Sequence, residues 1–70
     1  MNAGDDDLVL DGETRRRLRH DLRTPLTIVA GFAEVLAADR VISDADRREF
    51  ATRIHDAAGE IRRLIDEALE

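Results

Sequence analysis

The sequence predicts an all-α fold: an antiparallel two-helix hairpin that pairs with a second copy of itself into a four-helix bundle. Three observations lead there. Apolar residues recur in steps of three and four over two long stretches, the spacing that lines one side of a helix. A short polar break separates the stretches, and helices joined by a short loop run antiparallel. The chain has only 70 residues, with no Cys, one Met and two Phe, too little for a self-sufficient core and nothing to staple it with. Oligomerisation is the common remedy, because one hairpin leaves its apolar seams half covered and two cover them.

Residues 1–7 are acidic and polar and are expected to be a flexible N-terminus ahead of a single domain over 8–70. Leu8-Val9-Leu10 fits either a lead-in or a first helical turn. Asp11 is the expected N-cap of the first helix, with Asp7 competing, and Glu13 complements the helix dipole. That helix is expected over about 11–38, with a seam of Leu18, Leu22, Pro25, Val29, Phe32 or Ala33, and Leu36. Residues 39–43 form the loop. Ser43 followed by Asp46 resembles a capping box with Asp in place of Glu, so the second helix is expected over about 44–69. Its seam is Phe50, Ile54, Ala57 or Ala58, Ile61, Leu64 or Ile65, and Ala68. Gly59 interrupts it at a cost of about 1 kcal/mol relative to Ala.

Composition removes several partners. The net charge is −5, and acids precede the one basic run at Arg15, Arg16, Arg17 and Arg19, so no nucleic-acid partner is expected. No apolar stretch reaches the roughly 18 residues of a membrane span, and the N-terminus lacks a signal-peptide pattern. A cytoplasmic chain without direct membrane contact is the expectation.

Chemistry concentrates in His20-Asp21-Leu22-Arg23-Thr24-Pro25. At about 100° per residue with the seam at 0°, His20 falls near 200°, almost opposite the core, and Thr24 lies one turn on. A lone helical histidine is ordinarily a surface residue. With a carboxylate beside it, an exposed imidazole has what a phosphoryl acceptor needs: a nucleophilic nitrogen near pH 7, and an acid that fixes the proton on the other nitrogen. Pro25 cannot donate to the carbonyl of Asp21 and crowds it, so a bend is expected beside the histidine. The competing reading makes Pro25 the first residue of the helix, against the seam that continues through Leu18 and Leu22.

His20-Asp21-Leu22-Arg23-Thr24-Pro25-Leu26-Thr27, followed by Gly31-Phe32-Ala33-Glu34-Val35-Leu36, resembles the H-box of the dimerisation and phosphoacceptor domain of two-component sensor histidine kinases. The resemblance spans roughly residues 8–70. It implies that His20 is the phosphoacceptor, that Asp21 is the general base or orienting acid, and that Thr24 positions a water for dephosphorylating a partner. It implies that Pro25 is a bend between kinase and phosphatase arrangements. Arg23, near 140°, is either a phosphate contact or a solvated cation. The resemblance also implies a separate ATP-binding catalytic domain with ATP and Mg, and a response-regulator receiver domain as partners.

Thr24, Ile28, Gly31 and Val35 form a strip between about 220° and 280°. Ile28 and Val35 are therefore either flank residues buried in the bundle or part of a docking surface for the receiver domain. His55, with Asp56 beside it but no Thr-Pro following, reads as a surface residue, and no ligand spacing supports a metal. No glycine-rich nucleotide loop follows the second helix, so this segment is expected to bind no cofactor itself. Two alternatives stand beside the kinase reading: a stand-alone histidine phosphotransfer relay protein, and a purely structural helical-hairpin dimer.

Overall fold

The computed structural model describes residues 11–70; the 1–7 terminus, Leu8-Val9-Leu10 and the competing cap Asp7 lie outside the described residues. Helix α1 is Gly12–Ala37 and helix α2 is Asp44–Ala68, and the two pack against each other as an antiparallel hairpin with no strand among the described residues. The boundaries fall within one residue of the sequence expectation, and the caps explain the difference. Asp11 is extended, with φ −63° and ψ 163°, and its Oδ1 accepts the Thr14 N–H at 2.8 Å. The Thr14 hydroxyl donates a second bond to Asp11 Oδ2 at 3.0 Å, so both carboxylate oxygens of the cap accept from Thr14. Ser43 does the same work for α2, its Oγ accepting the Asp46 N–H at 3.0 Å.

The seam forms as the spacing requires, and packing decides the positions the spacing left open. Phe32 rather than Ala33 turns inward, because its ring meets Phe50 of α2 at a centroid distance of 5.1 Å and a 31° tilt. Ala57 is buried and Ala58 exposed; Leu64 is half-buried and Ile65 is 37% exposed. Pro25 is buried in the seam, and α1 runs unbroken through it, which excludes the reading that the helix starts there.

Among the described residues only Pro25 and Ala57 are buried; the other seam residues from Leu18 to Ala68 are half-buried. The seam divides the hairpin into two flanks. On one lie Leu26, Ala30 and Ala33 of α1 with Ala58, Ile65 and Leu69 of α2, all exposed, with Leu26 at 51% and Leu69 at 55%. On the other, a shallow groove runs between the helices. Val41, in the loop between α1 and α2, is fully exposed. No described helix is long and apolar enough to cross a membrane.

Candidate functional site

His20 sits in the third turn of α1 with its side chain 87% exposed, opposite the seam as the helical wheel requires. Its Nδ1 lies 3.3 Å from Asp21 Oδ1. With the proton on Nδ1, that nitrogen donates to the carboxylate and the Nε2 lone pair is left facing outward. Asp21 is 41% exposed, on the shoulder between the outer face of α1 and the groove. The local sequence produces this pairing without help from elsewhere. Adjacent residues on a helix diverge by about 100°, so a short Asp side chain reaches the near edge of the ring and nothing farther.

The groove continues the site across to α2. Its upper stretch is lined by His20, Asp21, Thr24 and Pro25 on one side and by Glu60, Arg63 and Leu64 on the other. Farther toward the loop, Thr24, Ile28 and Phe32 face Arg53, Asp56 and Glu60. Val35 is half-buried beside Thr27, Ile28 and Gly31 at the lower end. Thr24 therefore belongs to both stretches, and Ile28 is 37% exposed as an apolar patch on the groove wall. Arg23 is exposed on the outer face, away from the groove.

The α2 wall is what the one-dimensional pattern did not deliver. Arg63 bridges two carboxylates: Nη1 donates to Glu67 Oε2 at 2.6 Å, Nε donates to Glu60 Oε2 at 3.2 Å, and Nη2 closes a second contact on Glu60 Oε1. The bond from Arg63 holds the Glu60 carboxyl below the ordinary range, while the nearby Asp21 charge works against it. The two carboxylates raise the Arg63 guanidinium above its ordinary value. The sequence signal for this cluster was available as carboxylates three residues before and four after an arginine. Its position opposite His20 depends on how α2 is slid along α1.

His55 is 89% exposed, and its Nδ1 is 3.8 Å from Asp56 Oδ1, too long for a hydrogen bond. It stays outside the groove. Among the described residues no three His, Cys, Asp or Glu side chains gather as a metal site.

Chemically, the arrangement offers an accessible imidazole nitrogen, a carboxylate that orders the ring, a hydroxyl one turn along, and a groove with an apolar floor and charged walls. Comparison with protein families adds one finding: the model of the His Kinase A (phospho-acceptor) domain matches residues 14–70. No match is found among curated proteins or solved structures.

Proposed function

The chain belongs to the His Kinase A (phospho-acceptor) domain family, the phosphoacceptor and dimerisation domain of histidine kinases, and on that premise we propose the following roles for its residues. His20 accepts the γ-phosphoryl group of ATP and passes it to an aspartate of a response-regulator receiver domain. In the first step the Nε2 lone pair attacks phosphorus, the bond to the bridging oxygen breaks, and its electron pair leaves with ADP. Asp21 keeps the Nδ1 proton in place and steadies the positive charge that develops on the ring. ATP and its Mg belong to a separate catalytic domain, which supplies the phosphoryl donor and its charge neutralisation. The observation that carries this reading is the Asp21 carboxylate at 3.3 Å from Nδ1 of a ring left 87% open to an incoming donor.

Thr24, one turn along and on the groove, positions a water for dephosphorylating the regulator. Pro25, which removes the hydrogen bond to the Asp21 carbonyl, is the point at which α1 bends between the two activities. Ile28 and Val35 form the apolar part of the receiver's docking surface. The domain works as a homodimer on the cytoplasmic side of its parent kinase. Two features support the dimer. The seam is half-buried apart from Pro25 and Ala57, which are buried, and the flank around Leu26, Ala58 and Leu69 presents apolar side chains to solvent. The radius of gyration, 16.3 Å, also exceeds the roughly 11 Å of a compact 70-residue domain, as half of a longer bundle would.

The test is incubation with the ATP-binding domain of a cognate kinase and radiolabelled ATP. The expected product carries an acid-labile, base-stable label that His20→Gln removes. Undiminished label in His20→Gln overturns the assignment.

A further inference from the structure

A phosphoryl group added to His20 brings a charge of about −1.5 to −2 into a stretch of groove that already holds two carboxylates, Asp21 and Glu60. The cation lining that stretch is Arg63, carried on the opposite helix. Arg16 and Arg23 stand one turn to either side of His20 on the outer face of α1, exposed and away from the groove. Arg63 differs from them in being ordered before any phosphoryl group arrives. Glu60 and Glu67 hold its planar fork between them, and a guanidinium has five donors, more than two carboxylates occupy. A group fixed in advance loses less conformational freedom when it binds than a free surface arginine does.

We propose that Arg63 is a phosphoryl-binding residue: once His20 Nε2 carries a phosphoryl group, the guanidinium trades part of its contact with Glu60 for a phosphoryl oxygen. This rests on His20 being the acceptor. The arrangement gives each helix one half of the task, the nucleophile on α1 and the counter-charge on α2. It draws the phosphoryl group inward, over the groove beside Thr24, where a docked receiver would meet it. Glu60 has the opposite influence. It holds Arg63 in reserve while His20 is free and competes with the phosphoryl group afterwards.

The experiment phosphorylates the full chain with phosphoramidate, so no second protein is needed, and all variants carry His55→Gln because that exposed ring would also be modified. Nε2 attacks phosphorus, the phosphorus–nitrogen bond breaks, its electron pair leaves with ammonia, and the Nδ1 proton stays toward Asp21. Phosphorus NMR then follows the phosphoryl resonance as a function of pH. A cation in contact with the phosphoryl oxygens disfavours a proton on the phosphorylated ring, so the wild-type group is expected to titrate at a pH lower by about half a unit than in Arg63→Ala, with Arg63→Lys between them. Glu60→Gln, which leaves Arg63 in place and frees it, is expected to lower the midpoint further. It also carries the test should Arg63→Ala fail to fold. Equal midpoints in wild type and Arg63→Ala, or an unmoved midpoint in Glu60→Gln, overturn the proposal while leaving His20 as the acceptor. Label that persists in His20→Gln strikes the acceptor assignment itself.

Discussion

The two flanks of the seam come from the same pair of helices and differ in chemistry. Along the middle of the hairpin, one flank presents Leu26, Ala30, Ala33 and Ala58, all apolar and exposed, with Arg15 and Arg19 appearing only toward its open end. The other presents Asp21, Thr24, Asp56, Glu60 and Arg63 around a groove. About 200° of rotation on α1 separates a side chain suited to burial from one suited to charge. The difference teaches that a small bundle helix carries three stripes, not two. The seam fixes its partner within the hairpin, one flank stays apolar and exposed, as the proposed dimer needs, and the other gathers the polar and charged side chains.

The comparison breaks most visibly on the apolar side. In the proposed dimer, Leu26→Glu would place an uncompensated charge on the apolar flank of each copy, twice per dimer. A loss of roughly 3 kcal/mol or more is expected, seen as monomer in sedimentation and as a lowered melting transition by circular dichroism. A dimer of unchanged stability would remove Leu26 from the interface. On the groove side, Val35→Glu is expected to cut phosphotransfer to the receiver by about tenfold or more while the protein remains dimeric. A monomeric or unfolded Val35→Glu protein would make that residue structural. Thr24→Ala is expected to lower phosphatase activity by roughly tenfold and leave phosphotransfer near normal, and an equal loss in both would sink its assignment to water.

Acid separates the flanks without any substitution. Thr14 hydrogen bonds hold Asp11 below its ordinary 3.8, and the Arg63 bond holds Glu60 below its ordinary 4.5. Each lowered carboxyl adds stability that is complete above its unfolded value and is lost as pH falls through the folded one. The melting temperature is therefore expected to be level from neutral pH down to about 5 and to decline below about 4. Glu60→Gln should flatten part of that decline, and a change on the apolar flank should leave its shape alone. The smallest effect belongs to Gly59, which is exposed and has open space around a would-be Cβ. Gly59→Ala is expected to add up to about 1 kcal/mol in denaturant unfolding without changing either flank.

Much of this was legible in the sequence, and what was not has a common cause. Asp11 and Ser43 announced both helix starts because a short polar side chain before a periodic run has a local job, satisfying the first free N–H groups. His20 opposite Leu18 and Leu22 followed from the helical period alone. Choices between neighbours, such as Phe32 over Ala33 or Ala57 over Ala58, needed the partner helix, since both candidates lie within the arc that a seam can bury. Glu60, Arg63 and Arg53 stayed out of view because a period gives direction around an axis and no position along it. That offset is set by the length of the 38–43 loop and by the Phe32–Phe50 contact, a relation between two helices that no single stretch encodes.

Pro25 carries one more consequence. It divides α1 into an upper half bearing His20 and a lower half gripped by Phe50, and the carbonyl it leaves without a helical donor belongs to Asp21. That same residue is the one whose carboxylate lies 3.3 Å from the imidazole Nδ1. If α1 bends at Pro25 as proposed, a twist of the helix would reach the imidazole proton through one amino acid, Asp21.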